Sequence, residues 1–183
     1  MLVSWKALQV SRSLILCLVR PVRLLLALLI AFAATAVAKP PATVLEELQR
    51  SERRPVWTRA DQLPVSLRSA LAKTFEQKRL FVADARAPYQ DSCSVIVVGS
   101  NYKPLPNRRL QFAFATDRYF VVYYEQGGYG HSADVLVFSR PAAGASKFIW
   151  GGAEAVMDPA RTPAELVGRI QRGKLMDDLA YIW

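Results

Sequence analysis

The chain has 183 residues, with one His, two Cys, and 24 Lys plus Arg against 15 Asp plus Glu. So few soft ligands cannot hold zinc without several carboxylates, and no Asp/Glu cluster has calcium-loop spacing, so no metal and no cofactor is expected. The net charge of +9 is scattered, and after residue 39 no basic run exceeds a pair, whereas nucleic acid requires a basic stripe. Nucleic acid is therefore not an expected partner.

Leu24 to Ala38, LLLALLIAFAATAVA, follows Arg20 and Arg23 and ends in Ala36-Val37-Ala38, the small-x-small pattern a signal peptidase accepts. Residues 1–38 thus read as a signal peptide, with a mature chain that starts at Lys39 and is periplasmic or secreted. A weaker apolar patch over residues 14–19 is separated from this run by Arg20-Pro21-Val22-Arg23. The two cannot form one span, because each Arg at mid-bilayer would cost about 2.5–3.5 kcal/mol. A single run of this length is short for a spanning helix, which needs ~20 apolar residues. The alternative is an uncleaved anchor of residues 24–38 in the inner membrane, and membrane association through this segment. Cys17 precedes the run and follows Leu16, which argues against a lipoprotein cysteine.

Cleavage removes 38 of the 183 residues and leaves 145, with Lys6, Arg12, Arg20 and Arg23 lost and 20 Lys plus Arg facing 15 Asp plus Glu. The excess is mild and compatible with weak attraction to an anionic membrane surface or polymer. Only Cys93 then remains, so no intramolecular disulfide can form. Its setting, Ser92-Cys93-Ser94-Val95-Ile96-Val97-Val98, reads as the entry to a buried strand, where a free Cys acts as a small core residue.

Residues 39–60 read as a linker and a short helix, and 61–183 as one α+β domain. Pro40-Pro41 is stiff, and Thr43 with Glu46 has capping-box spacing ahead of Val44, Leu45 and Leu48, predicting a helix to about Arg53 before Pro55. Pro64 opens a second helix with Leu67, Ala70, Leu71, Thr74 and Phe75 at three- and four-residue spacing. Leu80 to Ala83 reads as extended. Strands are predicted at Ser94–Gly99, Arg109–Ala115, Arg118–Glu125, Asp134–Arg140 and Lys147–Trp150, rich in Val, Phe, Tyr and Ile and joined by short loops. Short connections favour antiparallel neighbours. A two-residue turn at Thr116-Asp117 would pair Phe114 with Tyr119, Phe112 with Val121 and Leu110 with Tyr123 on one face. Ala113 would pair with Phe120, Gln111 with Val122 and Arg109 with Tyr124 on the other. Thr162-Pro163-Ala164-Glu165 starts a last helix, with Leu166, Val167 and Ile170 as its apolar side and Gly173 as its stop. Leu175, Leu179, Tyr181, Ile182 and Trp183 are too apolar for a free tail. The expected fold is α+β: an antiparallel meander of about five or six strands, with two N-terminal helices and one C-terminal helix on one face of the sheet.

Chemistry is sparse. His131 follows Gly127-Gly128-Tyr129-Gly130 and opens a strand. A glycine-flanked His at a strand start, with a Cys earlier in the chain, resembles cysteine hydrolases of the cell-wall peptidase type. That resemblance rests on Cys93 and His131 alone. It implies a catalytic dyad acting on cell-wall peptide, although Cys93 opens a strand and lacks the helix dipole that activates a thiol. The glycine loop reads as a flexible hairpin loop, since it leads into a strand and has no phosphate-binding Lys. Glu125 and Asp134 flank it and could meet across the hairpin.

Tyr119, Phe120, Tyr123 and Tyr124 place rings on both faces of one strand. If the second face is open, Arg109, Gln111 and Tyr124 are ligand-binding candidates for an envelope protein, peptide, glycan or lipid. If it is closed, with the C-terminal segment over it, the rings are core. The expected function is an exported, non-enzymatic binding or accessory protein, with the Cys93–His131 hydrolase as the alternative.

Overall fold

The structure, a computed structural model, describes residues 39–50, 55–91, 104–128, 131–155 and 158–175. The predicted helix at residue 43 is α1, Ala42–Arg50. Its first free amides, Val44 N and Leu45 N, donate to Pro41 O at 2.9 and 3.2 Å. Thr43 therefore sits inside the helix rather than capping it, and its Oγ1 accepts from the Tyr119 hydroxyl. Residues 51–54, where this helix was expected to end, lie outside the described residues, as does the expected strand Ser94–Gly99. A short strand, β1 (Val56–Trp57), and a 3₁₀ turn (Ala60–Gln62) lead to α2, Val65–Thr74.

β2 (Arg108–Ala115), β3 (Tyr119–Gln126), β4 (Ser132–Ser139) and β5 (Phe148–Ala155) complete a five-stranded sheet in the order β1-β2-β3-β4-β5, antiparallel throughout. This is the expected α+β meander. The stretch at Leu80 to Ala83 contributes a single parallel bridge from Ala83 to Arg109 instead of a strand. β5 runs on through Gly151-Gly152, which at the sequence level mark its end. Both glycines serve packing: a Cβ at Gly151 would meet the Leu136 side chain at 3.1 Å, and one at Gly152 the Trp150 ring at 3.0 Å.

The β2–β3 turn is Asp117-Arg118, one residue later than expected. Thr116 is its anchor: its N donates to Tyr119 O at 2.8 Å and its Oγ1 accepts from Tyr119 N at 2.9 Å. Phe114 consequently pairs with Val121 and Phe112 with Tyr123. A slip of two residues leaves side chains on their predicted faces, where a slip of one would have inverted them. The inversion occurs further along, at a bulge on Gln111. Leu110 then pairs with Tyr124 and Arg109 with Glu125, in place of the expected Tyr123 and Tyr124.

The helices divide between the two faces. Val44 and Leu48 of α1, and Leu166, Val167 and Ile170 of α3 (Pro163–Gln171), share one buried cluster with Phe112, Phe114, Val121, Tyr123, Val135 and Trp150. Leu67 and Leu71 of α2, with Leu63 and Phe75, share another with Leu110, Ala113, Phe120, Val122, Tyr124, Leu136 and Phe138. The expectation of helices on one face is thus corrected. Leu67 and Leu71, one turn apart, give α2 an apolar side of its own, and burying a Leu contributes about 1.5–3 kcal/mol. Leu175 joins the first cluster, and residues 176–183 lie outside the described residues.

α3 is built as its sequence states. Thr162 Oγ1 accepts from Glu165 N, Pro163 is its first residue, and Gly173 at φ 63° closes it. Glu165 reaches one residue further back than a standard capping box, accepting from Arg161 N at 2.9 Å. Among the described residues no helix is long and apolar enough to cross a membrane.

Candidate functional site

The second sheet face, considered above as a ligand surface, is closed. Tyr124 is 1% exposed. Its ring packs edge-on against Phe75 at 5.2 Å, and the void beside it measures about 10 Å³, far below the volume of a ligand. Among the described residues the cover comes from α2 and its flanks; residues 176–183 of the C-terminal segment weighed as its cover lie outside the described residues. The Tyr124 hydroxyl lies near Asp134 and Arg108. Burial is the main reason its pKa rises well above the ordinary phenol value. Gln111 is half-buried at the bulge.

Arg109 and His131 instead come together at one end of the sheet. The bulge puts Arg109 opposite Glu125, and Arg109 Nη2 lies 2.5 Å from Glu125 Oε2. The Glu125 side chain is 6% exposed and that of Arg109 26%, so the carboxylate is buried beside a partly accessible cation. Tyr89 arrives on a strap held by Ala83 N to Arg108 O, Leu110 N to Ala83 O and Gln90 N to Pro106 O, each 2.9 Å. Its ring lies under the Arg109 guanidinium at 4.2 Å, its hydroxyl donates to Glu125 Oε2 at 3.0 Å, and His131 Nε2 is 2.6 Å from that hydroxyl. His131 itself is exposed.

The Glu125 carboxylate oxygen accepts from Arg109, and the single Tyr89 proton goes to the same oxygen. The His131 Nε2 facing Tyr89 is accordingly assigned as the donor. Burial and the hydrogen bond to Glu125 raise the Tyr89 pKa far above its ordinary value, keeping the phenol protonated. Arg109 Nε is buried without a partner.

Glu125 and Asp134 do not meet. Tyr124 pairs with Asp134 and Glu125 with Ala133, so the two carboxylates point to opposite faces. Asp134 accepts instead from Ser132 Oγ at 3.3 Å. Cys93 lies outside the described residues. Neither Tyr89 nor the Glu125–Arg109 pair was visible in the sequence, because Tyr89 is brought in by backbone bonds to a distant strand and the pairing depends on the bulge. Among the described residues no group of three or more His, Cys, Asp or Glu is placed to hold a metal ion.

The glycine loop is less free than its composition suggests. Gly127 N donates to Asn107 O at 2.9 Å, and a Cβ there would lie 2.1 Å from Gln90 O and 2.6 Å from Asp91 Cα. Gly127→Ala is expected to push the strap off the sheet and cost about 1–3 kcal/mol. Urea unfolding would measure the loss, and faster amide exchange at Gln90 would locate it. Parental stability in this variant would show that the strap does not pack against Gly127.

Among the described residues three phenols carry raised pKa values, Tyr89, Tyr123 and Tyr124, with burial the largest cause for each. The folded state thus favours the neutral phenol. Its contribution is fully present below the ordinary tyrosine pKa of about 10 and declines as pH rises beyond it, because the unfolded chain ionises first. Urea midpoints should therefore fall above about pH 10, and a midpoint indifferent to pH in that range would contradict the assignment.

No family model, no curated protein and no solved structure matches this chain.

Proposed function

We propose that the chain is an exported, non-enzymatic binding or accessory protein that takes its ligand at the end of the sheet formed by Arg109, Tyr89 and His131. Export rests on the apolar run and cleavage pattern of residues 24–38. The ligand site rests on one observation: with both sheet faces filled, the polar groups that converge at this accessible end of the sheet are the Arg109 guanidinium, held over Tyr89, and the His131 ring, linked through Tyr89 to Glu125. A partly exposed cation beside a ring nitrogen suits a carboxylate-bearing peptide or glycan.

The test is a photoreactive amino acid at the exposed position 107, which precedes Arg108 and bonds Gly127, in the full chain in its host. A discrete envelope adduct is expected, reduced at least severalfold by Arg109→Lys, which keeps the charge beside Glu125 but loses the planar fork. An adduct indifferent to Arg109→Lys, or none from a folded and exported chain, would count against the proposal. Cys93→Ser should leave the adduct unchanged. Its accumulation in Cys93→Ser would favour the Cys93–His131 hydrolase.

A further inference from the structure

An open groove of about 690 Å³ lies along the outer side of α2, sharing no residue with the Arg109–Tyr89–His131 cluster. Val65, Arg68, Ser69, Ala72 and Lys73 line it at helical spacing, so α2 turns Leu67 and Leu71 to the core and a second stripe to the groove. Lys78 and Arg79 line it as well. Four cations therefore face one space. Its one lining carboxylate, Asp61, is held at both oxygens by Arg59, at 3.0 and 2.7 Å. Lys73, Lys78 and Arg79 form no ion pair among the described residues. One apolar side chain on the lining, and one that follows the lining in sequence, are exposed. Val65 on the lining is 69% exposed, and Phe81, directly after the lining residue Leu80, is 47% exposed.

Unpaired cations side by side with exposed apolar groups match the two layers of a bilayer surface, phosphate above and acyl chain below. A soluble polyanion would account for the cations and leave Val65 and Phe81 without a role. We propose that this groove docks on the phosphate headgroups of an anionic lipid surface. Arg68, Lys73, Lys78 and Arg79 contact phosphates, and Val65 and Phe81 enter the interface. The groove would then hold the domain against the membrane while the Arg109 end of the sheet remains a separate site. The inference does not depend on what that end binds.

The experiment is co-sedimentation of the full chain with vesicles of phosphatidylglycerol and phosphatidylcholine in equal parts, against vesicles of phosphatidylcholine alone. The neutral vesicles register any insertion by residues 24–38. The parent chain should partition more strongly to the anionic vesicles, and the excess should fall as salt rises. Each Lys or Arg near such a surface contributes roughly fivefold, so Lys78→Ala with Arg79→Ala should lower the anionic excess by about 25-fold and leave neutral-vesicle binding unchanged. Both positions are exposed, and an unchanged thermal midpoint would confirm that the variant folds. Phe81→Ser should weaken anionic binding as well. Equal binding of the parent to both vesicle types, or an excess that survives the double substitution, would overturn the proposal. Displacement by inorganic phosphate beyond that by chloride at matched ionic strength would overturn the lipid assignment in favour of free phosphate.

Discussion

Tyr124→Ala is expected to destabilise the domain by about 3–5 kcal/mol, as much as Phe114→Ala on the opposite face. The two side chains are 1% and 0% exposed. Phe114 packs in the cluster with α1 and α3, and Tyr124 in the cluster with α2. Removing either ring leaves a cavity between a sheet and a helix that cannot both move in to fill it, and a domain has only about 5–15 kcal/mol in total. Urea unfolding of the two variants gives the comparison. A loss below about 1 kcal/mol for Tyr124→Ala, beside a large one for Phe114→Ala, would mean that α2 does not cover its face.

Arg169→Ala should be equally severe, through charge instead of volume. Glu154 is a carboxylate with 8% of its side chain exposed. It accepts from the Tyr123 hydroxyl and, at 2.9 Å, from Arg169 Nη1. Arg169 also donates to Asp158 O and Glu165 Oε1, at 2.5 and 2.6 Å, and Tyr123 accepts from Ala160 N at 2.9 Å. The network thus fastens α3 and the turn before it to β5. Truncating Arg169 strands a buried anion, which costs about 3–5 kcal/mol. Replacing both partners by apolar residues, Arg169→Met with Glu154→Leu, should recover part of that loss, since no buried charge is then left unpaired, while Glu165 keeps access to water and the Tyr123 hydroxyl loses its acceptor. A double variant as unstable as Arg169→Ala alone would contradict this account.

Much of this architecture is local and was therefore legible. α3 carries its cap, proline and terminal glycine within a dozen residues. β2, β3 and β4 fell within two residues of their predicted bounds, because β-branched and aromatic runs between turn residues are a local signal. Face assignment tolerated an error in the turn, since a slip of two residues preserves side-chain alternation. What the sequence did not display depends on distant partners. The bulge at Gln111 has no glycine to announce it, yet it moves Leu110 to the second core and sets Arg109 against Glu125. Gly151 and Gly152 read as a stop because the Leu136 and Trp150 side chains that need their missing Cβ atoms are identified only once the sheet is assembled. The helical pattern of α2 showed a helix with an apolar side, but nothing in it said which face of the sheet would receive that side. The Tyr89–Glu125–His131 chain spans three separate stretches.

The central claim is that the ligand meets the end of the sheet and never its aromatic faces. Two substitutions in the photo-crosslinking assay at position 107 test it most directly. His131 is exposed, so His131→Ala should fold normally and reduce the envelope adduct at least severalfold. Tyr124→Phe keeps the buried ring and removes only its hydroxyl, so it should stay folded and leave the adduct at the parental level. An adduct lost in Tyr124→Phe and kept in His131→Ala would contradict the account and return the binding surface to the aromatic face.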